Sequence, residues 1–338
     1  MADLLTPEVI LVLETITMLL VVIFTGFLLR RKKLLDSHTT NRLSTLVVDI
    51  AFPALVFTSL LSSANPADLM GSWYVPLSGL TVLLLGLGIG YLISPLFHPE
   101  QASLRGSAAF AIGTPNWIFI PLPLAAALFG MEGERIVLLF NLGALLVFWS
   151  IGILILRGGS SPGVPLQRAL LNPGLLATLL GILVALTFPA SRTLEQANIL
   201  ELTPGLAAVS VLIKATAFVG SITVPLSMIV TGSLLAEAGT RQAWNRRVLG
   251  ISLVRLLVFP GIILLLLQLA AWIGLRIQTE ISMILVMISA MPVAVSGSIV
   301  AEKIGGDVDL ISHTVFVSTL ASVITVPAFV WLMRLTAF

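Results

Sequence analysis

Apolar runs of about twenty residues, parted by short polar breaks, recur along the whole 338-residue chain. Such a run matches a helix crossing the ~30 Å hydrocarbon layer of a bilayer. The pattern predicts ten spans. The first, at about 8–29, stops at Arg30-Arg31-Lys32-Lys33. The next four cover about 40–62, 73–96, 103–130 and 135–156, and a Gly/Ser/Pro-rich connector follows at 158–170. The remaining five cover about 171–189, 204–236, 248–273, 281–301 and 310–335. The seventh is long, and its first part, with Lys214, is expected to lie at the membrane interface.

Two spans are interrupted. The fourth contains Gly113-Thr114-Pro115-Asn116-Trp117-Ile118-Phe119-Ile120-Pro121-Leu122-Pro123. An interior proline removes a backbone donor and crowds the preceding turn, at roughly 3 kcal/mol per site. In a bilayer the freed carbonyls survive only against protein or a polar cavity. Two readings follow: a kinked helix without a site, or a discontinuous helix of the kind that builds transporter sites near mid-membrane. The ninth span carries Met291-Pro292-Val293-Ala294, and Pro292 follows Pro115 at an offset of 177 (292 − 115). Pro225 of the seventh span follows Pro53 of the second at an offset of 172 (225 − 53). Acidic loops recur as well, at Gly130-Met131-Glu132-Gly133-Glu134 and Gly305-Gly306-Asp307-Val308-Asp309. Five spans per half is an odd number, so the halves have opposite orientation. The expected fold is an all-α membrane protein of two inverted five-helix repeats, 1–157 and 171–338, with crossing helices four and nine.

Composition agrees with the pattern. Hydrophobic residues make up 57% of the chain and charged ones 10%, against about 25% charged in soluble domains. The net charge of +2 and the lack of a basic run away from a span give no nucleic-acid surface. There is no cysteine, and the three histidines are scattered, so no metal centre or thiolate chemistry is expected. No basic stretch precedes the first apolar run, which therefore reads as a retained span. With the N-terminus outward, 12 of the 18 basic residues fall on inward loops and 5 on outward ones. That bias places both termini on the non-cytoplasmic side of a cell (inner) membrane.

Thr114-Pro115-Asn116 through Ile120-Pro121-Leu122 resembles the fourth-helix motif of the auxin efflux carrier (PIN-like) family. Met291-Pro292-Val293-Ala294, with Val300-Ala301-Glu302 and Gly305-Gly306-Asp307, resembles the ninth-helix motif of its bacterial members. Phe52-Pro53-Ala54-Leu55 with Ser62-Ser63-Ala64-Asn65-Pro66 looks like the family's second helix. The resemblance implies a ten-helix fold shared more distantly with bile-acid/sodium symporters. It implies a dimerising scaffold, about 8–62 and 171–236, and a mobile transport domain, about 73–156 and 248–335. It also implies elevator-like carriage of organic anions, without enzyme activity or cofactor. The short connector is that of the short prokaryotic members, so auxin itself is not implied as substrate.

A helix broken at Pro115 is expected to begin afresh at Asn116, exposing backbone donors and a positive dipole end; the same is expected after Pro292, at Val293. Asn116 adds a side-chain amide, for substrate or for a helix–helix hydrogen bond. Asn141 falls where the family has an amide facing substrate, and a structural hydrogen bond is the other reading. Trp117 either walls the pocket or faces lipid. Thr58 and Ser59 line the scaffold side of the pathway or bond their own helix. Pro53 and Pro225 mark helix breaks. Asp49 is a candidate for a coupling proton, Arg255 for attracting an anion or pairing an acid, and His313 for titration near neutral pH or for packing. Glu14 lies inside span one. Three functions compete: an organic-anion carrier, a sodium-coupled symporter of the bile-acid type, and a membrane-embedded sensor or enzyme. The second needs oxygen ligands at the crossing, for which only Asn116 and Ser296 are plain candidates.

Overall fold

The computed structural model describes residues 7–63, 71–97, 102–158, 173–238, 243–275, 277–304 and 306–335. The connector expected at 158–170 thus lies outside the described residues except for Gly158, and so do residues 64–66. The described chain is helical, and its only β pairing is a single bridge. In order, the helices are α1 (Pro7–Arg31), α2 (Ser37–Ser62), α3 (Tyr74–Phe97), α4 (Ala102–Gly113) and α5 (Pro121–Leu156). Then come α6 (Pro173–Thr187), α7 (Pro204–Glu237), α8 (Arg246–Trp272), α9 (Thr279–Ser289), α10 (Ser296–Ile304) and α11 (Val308–Leu335).

Seven of these are long and apolar enough to cross a membrane: α1, α2, α3, α5, α7, α8 and α11. The count differs from ten for a physical reason. The expected fourth and ninth spans are each split into two shorter helices, and α6 has 15 residues. The fourth and fifth spans also run together in α5, parted only by Gly130, whose φ of 60° and ψ of −145° lie outside the helical region. The seventh is continuous in α7 except for a joint at Ile222, where Pro204–Ser221 gives way to Thr223–Ala238. Its Lys214 Nζ donates to Ala197 O at 2.8 Å, tying α7 back onto the preceding loop.

Two prolines inside spans are accommodated by the same device. In α2 the ladder widens at Val47–Ala51, where Phe52 N–H reaches back five residues to Val47 O. In α8 it widens at Val254–Val258, where Phe259 N–H reaches Val254 O. Phe52-Pro53 and Phe259-Pro260 follow at once. A proline cannot serve the carbonyl four residues back and crowds it. The wide turn moves that carbonyl aside.

α1 lies along the second part of α7, while the second half of α2 packs on α6 and on the first part of α7. α3 packs on α4 and α5, and α11 packs on α8, α9 and α10. α1 and α7 also touch α11, and α1, α2 and α6 touch α5. At the α1–α7 crossing, a Cβ on Gly26 would run into the Ile229 backbone, and one on Gly232 into that of Ile23. Nearby, Arg30 Nη2 meets both Ser37 Oγ (2.6 Å) and Glu237 Oε1 (2.8 Å), joining α1, α2 and α7.

Gly232→Leu is expected to force α1 and α7 apart and destabilise the protein by about 1–3 kcal/mol, the usual cost of overpacking. Thermal unfolding in detergent measures it. A second expectation concerns the start of α2. Asp36 caps the helix by accepting from Thr39 N at 2.7 Å, and the hydrogen bonds from Thr39 hold its carboxylate below the ordinary value. A depressed folded-state pKa contributes stability above the unfolded pKa and loses it as pH falls through the folded one. Protection of the amides at residues 37–40, with exchange rates corrected for their intrinsic pH dependence, should therefore fall below about pH 4 in the wild type. In Asp36→Ala that protection should be low at every pH.

Candidate functional site

The two interrupted spans cross at their breaks. α4 ends at Gly113 and the helix resumes at Pro121; α9 ends at Ser289 and α10 begins at Ser296. Proline suits the first helical position, where its missing N–H has no partner to serve. The extended stretches between pair with each other. Asn116 N donates to Pro292 O at 2.7 Å and Ala294 N to Thr114 O at 3.0 Å, and Pro115 and Val293 face each other in an antiparallel bridge. Val293 N donates to Ser318 Oγ of α11 at 3.1 Å.

Beside this pairing sits Arg255, the largest fully buried side chain among the described residues. Its Nη1 donates to Ile112 O at 2.8 Å, its Nε to Met291 O at 3.2 Å and its Nη2 to Ser289 O. Ile112 and Ser289 stand at the same offset as the two break prolines (289 − 112 = 292 − 115). The guanidinium lies 4.5 Å from the Phe259 ring centroid. The wide turn of α8 carries Arg255 to this place.

Two buried amides belong to the same region. Asn116 Oδ1 accepts from Phe119 N at 3.1 Å, and Asn141 Oδ1 accepts from Trp117 Nε1 at 2.9 Å. Both Nδ2 atoms are buried without a partner. The amide orientations are therefore determined, since a flip would set NH2 against N–H. Trp117 is held inward, edge-on to Phe148 at 5.3 Å between centroids. Asn116, Trp117 and Asn141 are 3%, 7% and 1% exposed, so the site is closed in this conformation.

Several expectations change. The helix does not begin afresh at Asn116 or Val293 but at Pro121 and Ser296. The backbone donors of Asn116, Val293 and Ala294 are used in the crossing itself, so the free donors are side-chain NH2 groups. Arg255 spends these three nitrogens on carbonyls, and among the described residues no carboxylate pairs with it. Thr58 Oγ1 bonds Ala54 O of its own helix at 2.9 Å. Ser59 is half-buried, and Asp49 and Glu14 are exposed on α2 and α1. His313 is buried in α11. Pro53 stands just after the wide turn of α2, and Pro225 three residues past the joint in α7. Thus the structure brings together Pro115, Asn116, Asn141, Pro292, Val293 and Arg255.

Sequence reasoning missed Ser318. It follows Asn141 at the offset of the break prolines (318 − 141 = 292 − 115), so the repeat was a signal for it. A cavity of about 480 Å³ lies elsewhere, between Leu267, Ala271 and Leu275 beyond mid-α8 and Gln278, Thr279 and Ser282 at the start of α9. The length of α9, roughly 16 Å at 1.5 Å per residue, separates it from the crossing.

An all-helical chain with seven candidate spans and two interrupted helices paired at their breaks defines a multi-pass membrane protein of transporter type. It belongs to the membrane transport protein family that includes the auxin efflux carriers, matched over residues 11–166 and 160–330. It is similar to an uncharacterized transporter of Methanothermobacter thermautotrophicus, 27% identical over 93% of this chain and 96% of the relative. A second such transporter, from Methanocaldococcus jannaschii, is 21% identical over 95% and 98%.

Trp117→Phe removes the donor to Asn141 and leaves a buried carbonyl oxygen unsatisfied, at about 1–3 kcal/mol. Combined with Asn141→Leu in a double-mutant cycle, the two losses should be clearly less than additive. Additive unfolding energies would show that the Trp117–Asn141 bond does not hold the site.

Proposed function

We propose that this protein is a secondary carrier of small organic anions, carboxylates above all. The observation that carries the reading is the pair of buried, unpartnered NH2 groups on Asn116 and Asn141. A buried donor without an acceptor costs about 1–3 kcal/mol. Two such donors with their oxygens tied back favour a ligand that only accepts hydrogen bonds. A carboxylate is such a ligand; a bare cation, which needs the oxygens, is not. Trp117 beside them offers an apolar wall for the organic part of the substrate.

The wider architecture follows from the same reading. The chain forms ten spans in two inverted repeats, one common offset relating Pro115 to Pro292, Ile112 to Ser289 and Asn141 to Ser318. α1, α2, α6 and α7 serve as a scaffold through which two copies pair. α3, α4, α5 and α8 to α11 move as the transport domain, carrying the crossing from one side of the cell membrane to the other. Both termini stand on the non-cytoplasmic side. The closed site suits a carrier caught between openings. Asp49 and His313 touch none of the crossing bonds described above, and no proton step is assigned to them.

Flux of labelled carboxylates into proteoliposomes tests the reading. Asn116→Ala and Asn141→Ala should each lower flux tenfold or more, consistent with losing about 1.4 kcal/mol or more of ligand stabilisation. Asn116→Asp should abolish it, because a second negative charge would meet the substrate. Unchanged affinity and rate in both alanine variants would end the assignment.

A further inference from the structure

Where a helix is interrupted inside a membrane, the last carbonyls of its first half carry partial negative charge and lack helical partners. Transporters commonly bring a cation to such ends. Here two of these ends converge, and the carbonyls of Ile112, Ser289 and Met291 all point at one side chain, Arg255. The guanidinium is fully buried, and no carboxylate among the described residues neutralises it. Its charge is balanced by the carbonyls themselves and by the face of Phe259.

We propose that Arg255 is a resident cation: its tethered guanidinium occupies the carbonyl-lined position at the crossing that an exchangeable sodium ion would otherwise fill. The fork geometry of a guanidinium reaches all three carbonyls at once, which a single ammonium does not. Because the charge is covalently attached, it neither leaves nor needs replacing during a cycle. The crossing then holds together without sodium, and the sodium-coupled alternative has no place to put its ion at this point. This inference rests on the crossing and its hydrogen bonds, and it stands or falls independently of which substrate the carrier takes.

Thermal unfolding of the purified protein in detergent tests it, in sodium, potassium and choline chloride at equal ionic strength. The wild type should have the same midpoint in all three. Arg255→Ala should melt several degrees lower and recover, saturably, with sodium or with guanidinium at concentrations far below denaturing ones. Arg255→Met, which fills the space with an apolar chain, should melt low and respond to neither. If Arg255→Ala does not fold, Arg255→Lys decides: it keeps a tethered charge and should remain indifferent to sodium. Saturable sodium stabilisation of the wild type or of Arg255→Lys would overturn the proposal. So would an Arg255→Ala protein as stable as wild type, or one destabilised yet indifferent to every cation.

Discussion

A carbonyl freed inside a bilayer has no water to bond, and four stretches of backbone show how the structure meets that constraint. Two are the interruptions after Gly113 and Ser289, and two are the positions before Pro53 and Pro260. The interruptions satisfy each other: the chain on one side of each proline bonds the chain on the other side of the crossing. What that pairing leaves over, the carbonyls of Ile112, Ser289 and Met291, falls to Arg255. Without a donor there, each unsatisfied group would cost several kcal/mol in hydrocarbon. The crossing can therefore exist only as a unit, with α4, α9 and α8 assembled together.

Once the backbone is satisfied in this way, the free chemistry moves to side chains. Asn116 and Asn141 each spend their oxygen on a neighbouring N–H and retain NH2 groups with no partner. The opposite half offers no equivalent, since Val293 has no polar side chain and Ser318 is engaged by the Val293 backbone. The two breaks thus bond each other through their backbones but differ in side-chain chemistry. The donor end of the site belongs to the first half of the chain, and the fixed positive charge to the second.

The wide turns before Pro53 and Pro260 show how one local device serves opposite ends. Each precedes a Phe-Pro pair, and each contains an ionisable residue: Asp49 in α2 and Arg255 in α8. Asp49 is left exposed on the side of α2, whereas Arg255 is driven into the centre of the protein. Nothing in the local turn distinguishes them. The difference lies in where each side chain lands: Arg255 meets the carbonyls of the crossing, while Asp49 faces outward, although Phe52 beside it packs edge-on against Phe119 at 6.0 Å.

Much was legible from the letters alone. The length and apolarity of the runs and the interruptions around Pro115 and Pro292 are properties of local backbone chemistry and spacing. A proline breaks a ladder wherever it stands, so these needed no knowledge of neighbours. The restart at Pro121 instead of Asn116 was less legible, because pairing with Pro292 O takes the Asn116 N–H that a new helix would have left free. The role of Arg255 was not legible, because the carbonyls it serves lie 143, 34 and 36 positions away along the chain. Likewise, which end of each asparagine stays free depends on Trp117 and Phe119 N–H groups brought up by the fold. The sequence by itself determined where the helices must break. Only the tertiary structure decided who satisfies the broken ends, because hydrogen-bond partners are chosen by proximity in space.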